Sequence, residues 1–239
     1  MPSVTESLSR TDPIRIDVWS DIACPWCYIG KRNLEAGLGA ASADDDAPVV
    51  EVTYHSFELS PDTPVDFEGS EADFLAGHKG MPREQVQRML DRVTGVAADA
   101  GLEYRFDVLQ HTNTVRAHEL LHFAKAQGAQ QAMTERLMSA YFTEGRHLGR
   151  VDELVALAEE AGLDADAART ALELRQYLDA VRADQAQAAA YGINGVPFFV
   201  VDGKYGVSGA QPPEAFAQIA RQVWSEHRTA SAPIAEPTA

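Results

Sequence analysis

The two cysteines of this 239-residue chain, Cys24 and Cys27, flank the dipeptide Pro-Trp, so both thiols stand in one tetrapeptide. A thiolate attacks a disulfide sulfur, and a second thiol one helical turn away can reach back to resolve the mixed disulfide that forms. A structural zinc site would need two further ligands, for which His118 and His122, four residues apart on a predicted helix, are the candidates. The spacing of the cysteines favours reversible dithiol chemistry over zinc binding.

The tetrapeptide stands where a helix is predicted to begin. Pro25 suits the first helical position, because its fixed φ is already correct and its missing N–H has no helical partner there. The unpaired N–H groups of a first helical turn carry a partial positive charge, which favours a thiolate at Cys24. Asp21 would oppose this effect if its carboxylate pointed inward. The apolar residues expected to bury one side of this helix are Trp26, Ile29, Leu34 and Leu38.

Composition restricts the partners and the compartment. The 36 acidic and 20 basic residues give a net charge of −16, which disfavours nucleic acid and anionic membrane surfaces as partners. Residues 1–12 lack the apolar segment of a secretory signal, and no apolar run is long enough to span a bilayer. We therefore expect a cytoplasmic protein, in which a disulfide closing so short a loop would be redox-active rather than structural.

The segments around the cysteines predict an α/β fold. Residues 14–18 alternate between apolar and polar side chains, which is typical of a strand. A second strand is predicted at 49–57, and a strand–helix–strand crossover places such strands parallel. Past residue 192 the sequence predicts two more strands joined by a hairpin turn at Asp202-Gly203, then a helix that begins at Pro213.

Between these parts the apolar period changes to that of a helix, which indicates a long all-helical insertion. We predict a discontinuous α/β domain formed by residues 13–66 and 192–227, with the helical insertion at 67–191. The polar and small-residue ends of the chain, 1–12 and 228–239, are expected to be disordered.

The order βαβ, helical insertion, ββα, with Cys-Pro-Trp-Cys at the first helix, resembles a thioredoxin-like fold. The insertion makes the chain similar to the DsbA-like family of disulfide oxidoreductases, and in particular to its FrnE-type branch. That branch is related to 2-hydroxychromene-2-carboxylate isomerase and to kappa-class glutathione transferase. The resemblance rests on residues 21–31, 57–61, 113–118, 192–199 and 207–211.

The resemblance implies roles for residues on both sides of the dithiol. Cys24 would be the exposed nucleophile and Cys27 the buried resolving thiol. Pro197 would be a cis proline that faces the dithiol, although local chain physics alone favours a trans bond after Val196. The backbone of Val196 would pair with the bound thiol substrate as an added strand.

Further substrate-binding candidates surround the dithiol in sequence or in the related fold. His118 would donate a proton to the leaving thiolate or stabilise it, with a half-buried histidine bonded to the backbone as the alternative. Trp26 and Pro25 are expected to contact the substrate because they lie beside the reactive thiol. Phe57 and Asn113 are further candidates, although core packing explains Phe57 equally well.

The resemblance implies a cytoplasmic thiol–disulfide oxidoreductase or isomerase that forms mixed disulfides with proteins or low-molecular-weight thiols. Two alternatives stay open: a glutathione-dependent isomerase of the 2-hydroxychromene-2-carboxylate type, whose relatives have serine at the reactive position, and a metal-binding or scaffold protein. We expect no metal and no bound cofactor besides the redox-active disulfide, with glutathione or another small thiol as a conceivable co-substrate. A monomer and a homodimer are both compatible with the sequence.

Overall fold

The computed structural model describes residues 13–42 and 49–230, which contain four strands and nine helices. Of the helices that the structure describes, none is long and apolar enough to cross a membrane. The bounds in chain order are β1 Ile14–Ser20, α1 Pro25–Ala41, β2 Val50–Ser56, α2 Glu71–Lys79, α3 Arg83–Asp99, α4 Val115–Ala126, α5 Gln130–Phe142, α6 Val151–Glu160, α7 Ala165–Glu173, α8 Leu178–Ala190, β3 Phe198–Val201, β4 Tyr205–Ser208 and α9 Pro213–Ala230.

The ends of the chain were both predicted to be disordered. The N-terminal stretch, residues 1–12, lies outside the described residues, as do residues 231–239. Helix α9 continues to Ala230, so residues 228–230, which the sequence assigns to the tail, belong to the helix instead. The basic side chains His227 and Arg228 in the last turn suit a helix C-terminus, which favours positive charge.

The four strands form one mixed sheet in the order β2-β1-β3-β4. Strands β1 and β2 are parallel, as the crossover through α1 predicts, whereas β3 pairs antiparallel with both β1 and β4. Strand β1 lies between its neighbours, and its alternate residues Ile14, Ile16 and Val18 are buried. The predicted α/β fold with a thioredoxin-like order of elements is confirmed. Because β1 ends at Ser20, it delivers the chain directly to the cysteines.

Helices α1 and α9 pack against each other at a glycine. A Cβ atom at Gly37 would lie 2.5 Å from the carbonyl oxygen of Pro213 and 2.7 Å from Cβ of Phe216. Leu34 is buried as predicted, but Trp26 is 42% exposed and does not join the buried side of α1. Trp26 lies in the first turn, where the helix borders a cavity rather than the core. The absence of a side chain at Gly37 therefore sets the position of α1.

Helices α2–α8 follow β2 and precede β3, and their core is continuous with the first turns of α1. Cys27, Tyr28 and Ile29 of α1 belong to the same buried cluster as Leu120 of α4 and Leu137 of α5. Burial of this apolar surface ties the dithiol helix to the helical segment. The position of the cysteines thus depends on both parts of the chain.

A network of carboxylates and imidazoles joins β1 and β2 to α4 and α8. Asp184 Oδ1 lies 2.9 Å from His55 Nδ1, and Asp184 Oδ2 accepts the amide of Ser56 at 2.8 Å and lies 3.0 Å from His122 Nε2. His55 Nε2 lies 2.8 Å from Asp17 Oδ1. Burial would raise the pKa of Asp184, but His122, His55 and the amide hold it well below its usual range. Burial would lower the pKa of His55, yet its two carboxylate partners raise it.

Replacing Gly37 by alanine is expected to destabilise the protein by about 1–3 kcal/mol, because the new methyl group would force α1 away from α9. Gly39 is the matched control in the same helix, since a Cβ atom there meets nothing within 4 Å. Gly39→Ala should stabilise by up to about 1 kcal/mol through helix propensity. Urea denaturation measures both values, and equal effects at the two glycines would contradict the proposed close approach.

Asp184→Asn is expected to lower the free energy of unfolding by about 3 kcal/mol near pH 5, because it leaves buried imidazoles without their carboxylate. The Asp184 contribution is present above its unfolded pKa of about 3.9 and is lost as pH falls, since its folded pKa is lowered. The His55 contribution is present below its unfolded pKa of about 6.5 and is lost as pH rises through its raised folded value. Thermal unfolding of wild type and Asp184→Asn at a series of pH values measures the difference in their stability. A difference that does not change with pH would rule out the network as its source.

Candidate active site

Cys24 is the N-cap residue of α1 and Cys27 lies in its first turn, as the sequence predicts. Cys24 has an extended backbone, with φ of −88° and ψ of 113°, and Pro25 takes the first helical position. The amide of Cys27 donates to the carbonyl of Cys24 at 3.0 Å, and the amide of Cys24 donates to the carbonyl of Asp21 at 3.2 Å. Both cysteines are free thiols. The turn places the two sulfur atoms on one side of the helix start.

The two thiols differ in their surroundings. Cys24 is 4% exposed and lines a cavity, whereas Cys27 is 2% exposed and does not line it. The expectation of an exposed Cys24 is therefore wrong, because Cys24 belongs to the buried cluster that also contains Val93 and Leu120. Burial, together with the hydrogen bond and charge of Cys24, raises the pKa of the Cys27 thiol well above its usual range. This asymmetry makes Cys24 the thiol that a substrate can meet.

The loop before β3 faces Cys24. The Val196–Pro197 peptide bond is cis, as the resemblance implies. The Cys24 thiol donates to the carbonyl oxygen of Val196 at 3.6 Å. A Cβ atom at Gly30 would lie 3.0 Å from Cγ of Pro197, so the glycine lets α1 approach the proline ring. Cys24, Val196 and Pro197 thus meet although more than 170 residues separate them in sequence.

A cavity of about 550 Å³ opens beside Cys24. Helices α2 and α3 form one wall, and the first turn of α1, with Pro25 and Trp26, forms another. Trp26, Leu59 and Met89 line the cavity and are 42%, 45% and 38% exposed, so they mark its mouth. The predicted contact of Trp26 with a substrate is compatible with this position.

Asp21 points inward, the orientation that the sequence analysis named as unfavourable to a thiolate. Its carboxylate accepts the amides of Ala23 at 3.2 Å and Leu59 at 2.8 Å, and Oδ1 lies 3.4 Å from His118 Nε2. Burial alone would raise the pKa of Asp21, but the hydrogen bond and charge of His118 and the two amides hold it below its usual value. The carboxylate is thus ionised and hydrogen-bonded through both of its oxygens.

The structure places His118 in the protein interior, next to Asp21. It is 1% exposed and does not line the cavity, and its ring contacts the Asp21 carboxylate rather than a backbone group. Helix α4 therefore places His118 against Asp21, the residue three positions before Cys24. His122, the other candidate zinc ligand, contacts Asp184 instead. Among the described residues, no group of three or more His, Cys, Asp or Glu side chains is arranged to hold a metal ion.

Phe57 and Asn113 lie outside the cavity lining. Phe57 packs in a cluster with Trp19, the core role that the sequence analysis left open. Asn113 donates through Nδ2 to the carbonyl of Pro61 at 2.9 Å and accepts the amide of Val115 at 2.9 Å. Asn113 therefore connects the loop after β2 to the start of α4 through hydrogen bonds and does not line the cavity.

The cavity wall also contains a pair that the sequence analysis missed. Glu71 of α2 lies with Oε2 at 2.7 Å from His111 Nδ1, and both side chains are buried. The ring of His111 stacks on Phe74, with ring centroids 3.4 Å apart. Forty residues separate Glu71 from His111, so no local spacing could have indicated the pair.

Comparison with known proteins identifies the family. The model of the DsbA-like thioredoxin domain matches residues 15–220. The uncharacterised protein YwbO of Bacillus subtilis is 31% identical over 207 residues, which cover 85% of this chain and 94% of that protein.

Solved structures agree with this assignment. A probable DsbA oxidoreductase from Streptomyces coelicolor is 41% identical, with a TM-score of 0.82 over 95% of this chain and 94% of that chain. A 2-hydroxychromene-2-carboxylate isomerase is 15% identical, with a TM-score of 0.69 over 91% and 100%. The cytosolic disulfide reductase DsbM from Pseudomonas aeruginosa is 20% identical, with a TM-score of 0.62 over 87% and 98%. The last two show a shared fold alone. Because the domain model spans most of the sequence and the Bacillus relative matches over nearly its full length, the chain belongs to the DsbA-like thioredoxin family.

Proposed function

We propose that the protein is a thiol–disulfide oxidoreductase or isomerase in which Cys24 is the nucleophile and Cys27 the resolving thiol. The observation that carries this proposal is the placement of Cys24 at the start of α1, on the wall of the cavity and 3.6 Å from the Val196 carbonyl. A helix start favours the thiolate, and the carbonyl beside it belongs to backbone that a bound substrate can pair with.

The chemistry follows from the asymmetry of the two thiols. The Cys24 thiolate attacks a substrate disulfide, which forms a mixed disulfide and releases the first substrate thiol. Cys27, whose pKa is raised by burial, keeps its proton until this step and then attacks the Cys24 sulfur. The second substrate thiol leaves and a Cys24–Cys27 disulfide remains. The protein itself needs no bound cofactor for this exchange.

The setting of this activity is part of the proposal. We place the protein in the cytoplasm, where the thiol pool favours reduction or isomerisation over net oxidation of substrates. The net charge of −16 supports substrates other than nucleic acid and anionic membranes. Disulfide-bearing proteins and low-molecular-weight disulfides are the two classes of substrate.

A glutathione-dependent isomerase of small molecules is the second candidate. The apolar cavity beside Cys24 and the fold shared with 2-hydroxychromene-2-carboxylate isomerase favour it. Such an isomerase has no use for a resolving thiol, whereas Cys27 is present one helical turn from Cys24. We therefore prefer dithiol exchange.

Cys24→Ser should abolish turnover of a disulfide substrate and should trap no adduct. Without an added thiol, Cys27→Ser is expected to hold a mixed disulfide on Cys24 after one attack, because the protein has no second thiol to resolve it. Mass spectrometry of the non-reduced protein detects the adduct. If Cys27→Ser still catalysed the glutathione-dependent isomerisation of a small molecule, that result would contradict dithiol exchange and support the isomerase.

His118→Leu is expected to move the acid-induced loss of unfolding free energy to higher pH, because the hydrogen bond and charge of His118 lower the pKa of Asp21 and burial raises it once they are removed. His118→Gln, which keeps a donor in the same place, should restore part of the wild-type profile. His122→Gln is the matched control one turn along α4, since His122 contacts Asp184 and not Asp21. Identical pH profiles for wild type and His118→Leu would show that His118 contributes through packing alone and not through the pKa of Asp21.

A further inference from the structure

Access to Cys24 is restricted to the cavity. The cysteine is 4% exposed, and in the described part of the chain it lines the cavity. The cavity volume of about 550 Å³ lies in the range of sites that enclose small molecules. A disulfide must therefore enter this space before it meets the Cys24 sulfur.

The walls of the cavity favour an apolar or aromatic body. Pro25, Leu75, Leu90, Val93 and Phe106 line it, and Trp26, Leu59 and Met89 lie at its mouth. The mouth residues are among the few large apolar side chains that the described surface exposes. Burial of an apolar ligand here would remove both surfaces from water.

The carboxylates that line the cavity are buried, whereas its lysine and arginine are exposed. The two lining carboxylates, Asp21 and Glu71, are buried and are paired with His118 and His111. Both carboxylates thus already have a partner within the protein. An incoming anion therefore meets no free carboxylate among the lining residues.

The two lining cations are free by contrast. Lys79 at the end of α2 and Arg92 of α3 are exposed, and neither has an ion pair or hydrogen bond to any described residue. By comparison, Arg136 and Arg146 of this acidic protein each contact two carboxylates. Unpaired cations at the mouth of an apolar cavity attract an anion, and a guanidinium matches a carboxylate in geometry.

We propose that the cavity selects a small disulfide with an apolar or aromatic body and at least one carboxylate. Its sulfur atoms lie at Cys24 and its carboxylate lies at Lys79 and Arg92. This inference rests on the proposed function and names its substrate class.

The reaction balances as a two-electron exchange. The Cys24 thiolate attacks one sulfur of the small disulfide, which forms the Cys24–substrate bond and expels one substrate thiolate that takes a proton from water. Cys27 loses its proton to water and attacks the Cys24 sulfur, which expels the second substrate thiolate. The small disulfide is reduced to two thiols and the protein dithiol is oxidised to a disulfide. A small dithiol such as dithiothreitol reduces the protein again.

The test compares two aromatic disulfides on the fully reduced protein in single-turnover reactions at neutral pH. Dithiobis(nitrobenzoate) carries two carboxylates, and dithiodipyridine carries no charge. The double variant Lys79→Glu/Arg92→Glu reverses both cavity charges. The control, Arg88→Glu/Lys125→Glu, reverses two exposed cations outside the cavity that also have no ion pair to a described residue, and it changes the net charge equally.

The cavity variant is expected to lose about tenfold or more in its rate with dithiobis(nitrobenzoate), and the control variant to stay within about twofold of wild type. Both variants should react with dithiodipyridine at the wild-type rate. Added salt should slow the reaction of the wild type with the anionic disulfide alone.

Two results would overturn the inference. One is an unchanged rate of the cavity variant with dithiobis(nitrobenzoate), and the other is an equal loss with both disulfides, which would place the effect on the thiol. Failure of the proposed function looks different. In that case the wild-type protein would react with neither disulfide, or would react without forming the Cys24–Cys27 bond detected by mass spectrometry.

Discussion

Helix α1 is held by two neighbouring helices, and the site depends on this constraint. On one side Gly37 allows α1 to approach α9 closely. On the other, Glu135 of α5 accepts the hydroxyl of Tyr28 at 2.6 Å and forms ion pairs with Lys31 and Arg32. Burial would raise the pKa of Glu135, but these partners lower it to about 2. With α1 fixed in this way, the Cys24 sulfur is held against the loop that contains the cis proline.

Burial divides the chemistry between neighbouring groups. Cys24 and Cys27 are both covered, yet only Cys24 borders the cavity, and the pKa of Cys27 is raised. The ionised carboxylate of Asp21 bonds to the amides of Ala23 and Leu59 and contacts His118. A buried charge is costly unless it is paired and hydrogen-bonded, and here each condition is met. The Asp21 carboxylate is therefore bonded within the protein, while Cys24 lies on the wall of a largely apolar cavity.

The sequence predicted the elements well because each has a local signal. Alternation in β1, proline after Cys24 and the helical period before Gly192 are all readable without tertiary structure. Pairs that join distant segments have no such signal. His118 lies 97 residues from Asp21, and the buried cluster of Cys24 includes Val93 of α3 and Leu120 of α4, so the burial of the nucleophile was predicted wrongly. The cis bond was available from family resemblance and not from local physics.

The walls of the cavity and its reactive sulfur come from different stretches of the chain. The dithiol and the cis proline belong to the segments that build the sheet, whereas Phe74, Met89 and Val93 come from α2 and α3. Substitutions in those two helices can reshape or recharge the pocket while the sulfur chemistry stays as it is. Evolution can thus change which molecules bind in the cavity of such a protein with little effect on the redox chemistry of its dithiol.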